Sequence, residues 1–126
     1  MPSISDVILM DVSKIMPERT VKYCVCVSAG NDRYFYINSE HREMYDDFKI
    51  NASDYDFLAH DSYVGCHEAY LLGKELVIRK LGNLNHEDML KILGKIQNSK
   101  RIAKTERKTL ILEFETWLND KLTGSV

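Results

Sequence analysis

The feature that most constrains the fold is a pair of β-prone runs separated by a short turn. Val21–Ser28 and Arg33–Asn38 are rich in β-branched and aromatic residues. Ala29–Asp32 lies between them and contains a Gly and an Asn, which tolerate the positive φ angles of a tight turn. The apolar run Asp6–Val12 precedes the pair and is typical of a buried strand. The start of the chain is therefore predicted to form an antiparallel three-stranded unit.

The middle of the chain contains shorter β-prone segments. Asn51–Leu58 is predicted to hold one helical turn, capped by Asn51 or Ser53. Gly65 lies inside another segment, which we interpret as a single bent strand because a glycine lets the backbone kink. The predicted strands of this region are Phe48–Ile50, Ser62–Leu72 and Glu75–Leu81.

Two helical patterns end the chain. Asn85 is a suitable N-cap for a helix over 86–97, in which Met89, Ile92 and Ile96 contribute to one apolar stripe. A second pattern, with apolar residues at three- and four-residue steps, predicts a helix over 101–122. Strands followed by helices indicate an α+β fold, with a small sheet covered by helices.

Composition and length fit one ordinary globular domain. The 126 residues lie within the usual size of a single domain, and 44% hydrophobic with 29% charged residues excludes a disordered or fibrous chain. The N-terminus lacks the basic start and apolar core of a signal peptide, and no run of about 18 apolar residues occurs. We therefore expect a cytosolic protein.

Charge is unevenly distributed along the sequence, although the net charge is only -2. An acidic stretch runs from Glu40 to Asp61 and is interpreted as a solvated loop; it would repel RNA if it faced a binding cleft. A basic stretch runs from Lys91 to Lys108, and this is the part of the chain expected to attract phosphate groups.

Cysteine and histidine spacing gives no sign of a metal site or a cofactor. Cys24, Cys26 and Cys66 fit neither a disulfide framework nor a zinc motif, and we expect buried thiols. The four histidines are scattered, without the spacing of metal ligands. Among them, His67 lies two residues after Gly65 in a predicted strand and could face either a cleft or solvent, of which the surface is favoured.

Several segments resemble PemK/MazF-type proteins. The match comprises Asp61–Glu68 and Lys74–Met89, where Gly82–Met89 follows that family's Gly-x-Leu-x-x-Glu-Asp-Met helix start. Asp6–Asp11 resembles the family's first strand and Tyr23–Ser28 its second. The resemblance implies an SH3-like small β-barrel with its helix over residues 1–98, and a helical extension over 99–126 packed on the same domain.

The same resemblance implies a function. Active members of the family are metal-independent toxins of toxin–antitoxin pairs, which dimerise and cleave single-stranded RNA by attack of the ribose 2′-hydroxyl. Lys22 occupies the family's arginine position, and Arg19 is the alternative cation if the preceding loop shifts. Ser39 is the implied hydroxyl, because Asn38-Ser39 stands where the family has Pro-x-Thr-Ser, and Glu18 is the implied proton acceptor.

RNA contacts are expected from aromatic and basic side chains. Asn38 and Tyr36 are predicted to bind RNA beside the catalytic group, and Lys100 and Arg101 to contact phosphate. An alternative assigns the strand tyrosines to core packing; these are Tyr23, Tyr34, Tyr36 and Tyr63.

Two questions stay open at the level of sequence. The chain is either such a ribonuclease, with a cognate antitoxin, or an inactive binding module that acts through protein partners. The last helix carries an apolar stripe that is covered either by a homodimer, with Trp117 near its centre, or by the chain's own sheet. The stripe comprises Leu110, Phe114, Trp117 and Leu118.

Overall fold

A computed structural model describes residues 2–123, which form an antiparallel sheet followed by two helices. The strands are β1 Asp6–Asp11, β2 Val21–Ser28, β3 Arg33–Asn38, β4 Phe48–Ile50, β5 Ser62–Val64, β6 Tyr70–Leu71 and β7 Val77–Asn83. Their spatial order is β4-β5-β3-β2-β1-β7, and β6 also pairs with β3. The predicted α+β class and the three-stranded unit β1-β2-β3 are thereby confirmed.

The segment after β5 differs from its prediction. Ser62–Leu72 is not one bent strand: β5 and β6 pair separately with β3. The Gly65 amide still donates to the Tyr36 carbonyl of β3 at 2.9 Å, but the Cys66 amide donates to the carbonyl of Tyr45 at 2.9 Å, so the chain leaves the ladder at this point. Gly65 permits the close approach, since a Cβ there would lie 3.3 Å from Asn38 Nδ2.

The strand path is open. β4 pairs with β5 and β7 pairs with β1, and within residues 2–123 no ladder joins these two ends. The expected closed SH3-like barrel is therefore not formed by strand pairing. Closure requires ladders that continue around the barrel axis, whereas β4 has only three residues and the chain leaves the sheet after β5.

Both predicted helices are present. The first, α1, spans His86–Gln97, and the Asn85 side chain caps it by accepting from the Asp88 amide at 2.8 Å. The second, α2, spans Lys104–Thr123 and begins three residues later than predicted. Three single 3₁₀ turns occur in the connections: Glu43–Tyr45, Ala52–Asp54 and Lys74–Leu76. Asn51 precedes the second of these turns, but its side chain makes no capping bond.

Strands β1 to β3 bury side chains on both faces. Val25 and Phe35 belong to the main core, into which α1 and α2 also pack, while Cys24 and Tyr36 belong to a smaller core that includes Leu72. This follows from the two-residue alternation of a strand. All three cysteines are free and buried, as predicted.

Helix α2 packs on the chain's own sheet. Leu110 and Phe114 are buried in the main core. Trp117 is partly buried and packs against the same core. Glu113 fastens the helix to the β2–β3 turn, accepting from Ser28 Oγ at 2.6 Å and from the Gly30 amide at 3.1 Å. Of the two alternatives for this stripe, the chain's own sheet covers Leu110 and Phe114, and a homodimer stays a prediction. Among residues 2–123, no helix has the length and apolar character required to cross a membrane.

Candidate functional site

A cleft of about 360 Å³ lies where β2 begins and β3 ends. The strands are antiparallel, with Tyr23 opposite Ile37, so Lys22 and Asn38 are neighbours at this end of the sheet. The loop before β2, the loop after β3 and the segment that leaves the sheet after β5 complete the walls. The lining residues are Met16, Glu18, Arg19, Lys22, Tyr36, Asn38, Ser39, Glu40, Arg42, Tyr45, His67 and Tyr70.

Most of the residues named from the sequence meet in this cleft. The two that do not line it are Lys100 and Arg101, which are exposed between α1 and α2. Arg101 nevertheless reaches the neighbouring loop, where its guanidinium donates to the carbonyl of Met44 at 3.0 Å. The six that line the cleft are Glu18, Arg19, Lys22, Tyr36, Asn38 and Ser39.

Lys22 places a buried ammonium group in the cleft wall. The residue is only 8% exposed, and Nζ donates to Asn38 Oδ1 at 2.5 Å. Burial lowers the pKa of Lys22, and the positive charge of Arg19 lowers it further. Within residues 2–123 no carboxylate lies within ion-pair distance of Nζ. A buried cation without a carboxylate partner can still bind an anion.

The aromatic wall of the cleft is built around Tyr36. Its ring stacks on Tyr70 with centroids 4.1 Å apart, and the Lys22 ammonium lies 5.6 Å from its centroid. Burial first, and then the nearby Cys24 and Tyr70, raise the pKa of Tyr36 to about 12, so the phenol stays neutral. Its hydroxyl is buried and forms no hydrogen bond within the described residues.

The alternative that assigned the strand tyrosines to core packing is confirmed only in part. Tyr34 is 1% exposed and belongs to the smaller core, whereas Tyr23 and Tyr63 are half-buried. Tyr36 does both, since it packs in that core and lines the cleft.

His67 lines the cleft, which is the less favoured of the two positions that the sequence left open. We expected it at the surface, but the departure of the chain from the sheet at Gly65 turns its ring inward, where it stacks on Tyr45 with centroids 4.7 Å apart. The Tyr70 hydroxyl lies 3.5 Å from Nε2, while Nδ1 is buried without a hydrogen bond among the described residues. Burial first, and then the charge of Arg101, lower the pKa of His67. A glycine two residues earlier was the only local signal in the sequence.

The acidic stretch contributes little to the cleft. Of its carboxylates only Glu40 lines the wall. Asp46 pairs with Lys95 at 2.9 Å, Asp47 lies 2.6 Å from His41 Nδ1, and Asp61 lies 3.4 Å from Lys49. These three carboxylates therefore have local cationic or imidazole partners, and Glu40 itself lies 3.6 Å from Arg42.

The cleft has the chemical groups for phosphate chemistry: cations, a hydroxyl, a carboxylate and an imidazole. Within residues 2–123, no group of three or more His, Cys, Asp or Glu side chains is arranged to hold a metal ion. Neither a family model nor a curated protein matches this sequence. The relationship to PemK/MazF-type proteins stays a prediction from the quoted segments.

Proposed function

We propose that the protein is a metal-independent endoribonuclease, similar to PemK/MazF-type toxins, that cleaves single-stranded RNA through the ribose 2′-hydroxyl. One observation carries the proposal: the six residues selected from sequence line one cleft beside a buried ammonium without a carboxylate partner. Cleavage of a phosphodiester needs a cation at the phosphate and groups that move protons. The cleft supplies both.

Lys22 and Arg19 stabilise the charge that develops on the phosphate oxygens. A preorganised cation stabilises developing charge more strongly when it is less exposed to water, and Lys22 is only 8% exposed. Asn38 aims that ammonium by accepting from it. The Ser39 hydroxyl donates a hydrogen bond to a non-bridging oxygen of the same phosphate.

Proton transfer is assigned to Glu18 and His67. The 2′-oxygen bonds to phosphorus while its proton passes to the Glu18 carboxylate. The bond from phosphorus to the 5′-oxygen then breaks, and that oxygen takes a proton from His67. The products are a 2′,3′-cyclic phosphate and a free 5′-hydroxyl, and no water or metal enters the step. His67 gives this proton only in its protonated form. Because burial lowers the pKa of His67, that form is populated as the pH falls, and we expect cleavage to slow as the pH rises through neutrality.

The test uses one RNA oligonucleotide and its singly 2′-deoxy variants, incubated with the purified protein in EDTA. We expect fragments that end in 2′,3′-cyclic phosphate, and we expect a single 2′-deoxy substitution at the cleaved position to block cleavage. Intact RNA across a set of mixed-sequence substrates, or cleavage that persists at the 2′-deoxy position, would contradict the proposal.

A second candidate is a non-catalytic binding module that acts through a protein partner. It is favoured by the bond between Lys22 and Asn38, because a phosphate must displace or share that amide to reach the ammonium. Expression in bacteria separates the two candidates: an active ribonuclease arrests growth unless an antitoxin is present, whereas a binding module leaves growth unchanged. A cognate antitoxin and a homodimer stay predictions, to be tested by co-purification and by sedimentation.

A further inference from the structure

A second cavity, which we call the side hollow, adjoins the cleft. Its volume is about 220 Å³. It shares Arg19, Lys22, Asn38 and Ser39 with the cleft, so these four side chains form a ridge between the two cavities. A phosphate held on this ridge has a cavity on each side.

The walls of the side hollow are suited to a flat ring. Tyr23 is half-buried, and its ring centroid lies 6.4 Å from that of Phe57. Val21 is 44% exposed. Leu58, at 9% exposed, contributes a further apolar wall. Aromatic and aliphatic surfaces of this kind bind the faces of unpaired nucleobases.

Beyond the ridge and the Tyr23 hydroxyl, the hollow has two polar side chains, His60 and Ser62, and each can accept a hydrogen bond. His60 Nδ1 lies 2.9 Å from the carbonyl oxygen of Asp61. A carbonyl oxygen only accepts, so this contact selects the tautomer with the proton on Nδ1, in which Nε2 is the acceptor. Ser62 Oγ donates to the carbonyl of His60 at 3.1 Å, which leaves its lone pairs available. Acceptors of this kind complement an amino group on the edge of a base.

We infer that the side hollow is a nucleobase subsite for the nucleotide beside the scissile phosphate, and that it favours bases with an exocyclic amino group. This inference rests on the proposed function, because the phosphate on the ridge positions the neighbouring base. The occupant is a nucleobase of single-stranded RNA. The hollow therefore sets sequence preference on one side of the cleaved bond.

The experiment measures binding rather than cleavage. Fluorescence anisotropy is recorded with a labelled oligonucleotide that is 2′-deoxy at the cleaved position, or fully 2′-deoxy if no RNA is cleaved. An abasic residue is moved along it one position at a time. At one position we expect binding to weaken roughly 5- to 100-fold, the range for loss of one stacked base. Replacing adenine there by purine, which lacks the amino group, should weaken binding roughly 2- to 10-fold.

His60→Ala is the specific variant and His86→Ala its matched control, since His86 is an exposed histidine that does not line the hollow. His60→Ala should bind adenine and purine oligonucleotides equally, while His86→Ala should discriminate as the wild type does. Circular dichroism of both variants checks the fold.

The outcomes separate this inference from the proposed function. Cleavage of RNA together with binding that ignores every abasic position would overturn the subsite and leave the ribonuclease standing. Base-dependent binding without cleavage of any RNA would overturn the ribonuclease and leave the subsite standing. Retained amino discrimination in His60→Ala would overturn the role of His60, and absence of binding to any oligonucleotide would overturn both proposals.

Discussion

Replacing Lys22 by methionine separates the role proposed for this residue in RNA cleavage from its role in the fold. Methionine has similar length and no charge, so Lys22→Met keeps the packing and removes the ammonium. Removing a single preorganised donor from a developing oxyanion costs about 10²- to 10³-fold in rate in comparable sites. We expect a loss of that size in kcat, measured as release of 2′,3′-cyclic phosphate ends.

The expected change in stability is much smaller, because opposing contributions nearly cancel. The substitution loses a charged hydrogen bond to Asn38, about 1.5–3 kcal/mol, and a cation–π contact with Tyr36, about 0.5–1 kcal/mol. It also removes the cost of burying an ammonium group, which is several kcal/mol per ion before compensation. We expect the free energy of unfolding to change by no more than about 1 kcal/mol, or about 4 °C in Tm.

The sign of the pH dependence follows from the lowered pKa of Lys22. The unfolded chain holds this proton to higher pH than the folded one, so the burial cost is fully present at neutral pH. It disappears as pH rises from the folded pKa to the ordinary lysine value. Wild-type protein should therefore gain stability relative to Lys22→Met as pH rises through that alkaline range, which thermal melts at stepped pH can measure.

Lys14→Met is the control, because it removes the same charge from an exposed position outside the cleft. It should leave cleavage within about threefold of wild type. The reasoning would be refuted if Lys22→Met cleaved RNA at the wild-type rate, or if its activity fell only in proportion to the unfolded fraction. Lys14→Met losing as much activity would also refute it.

Three further predictions concern the body of the protein. Glu113→Gln weakens the bonds to Ser28 and Gly30 and should lower the free energy of unfolding in urea by about 1–2 kcal/mol. The exposed neighbour Glu115→Gln should not, and equal losses in both would contradict the fastening role. Trp117→Ala should lower stability by about 1–3 kcal/mol without altering the sedimentation mass, whereas a fall in mass would place this residue in an interface. A thiol reagent at pH 8 should react only after unfolding, because burial raises the pKa of each thiol; rapid reaction of the native protein would contradict the burial of Cys24, Cys26 and Cys66.

Local interactions explain what could be predicted from the sequence. The β2–β3 hairpin is determined by two β-prone runs and a four-residue turn, and α1 by an N-cap and an apolar stripe. The adjacency of Lys22 and Asn38 follows from the hairpin alone, since antiparallel pairing brings the first strand's start beside the second strand's end. Half of the cleft was therefore accessible to reasoning from sequence.

Long-range interactions account for what was missed. The chain leaves the sheet at Gly65 because the Cys66 amide bonds to Tyr45, about twenty residues earlier, and no periodicity in Ser62–Leu72 records that bond. The position of His67 depends on it. The packing of α2 was undecidable for a similar reason, because an apolar stripe specifies that it must be covered but not by which surface.

The distribution of unsatisfied polar groups argues that the cleft is the functional part of the molecule. Within residues 2–123 the buried side-chain atoms without a hydrogen bond are Tyr36 Oη and His67 Nδ1, and both residues line the cleft. Elsewhere in residues 2–123 buried polar groups are paired: Asp88, for example, accepts from the Tyr55 hydroxyl and forms an ion pair with Lys91. A buried polar atom without a partner costs about 1–3 kcal/mol, so two of them beside a lysine without a carboxylate partner are a concentrated loss of stability. Unpaired buried polar atoms are uncommon in proteins, and their occurrence in two residues of one cleft is the reason to test this cleft first.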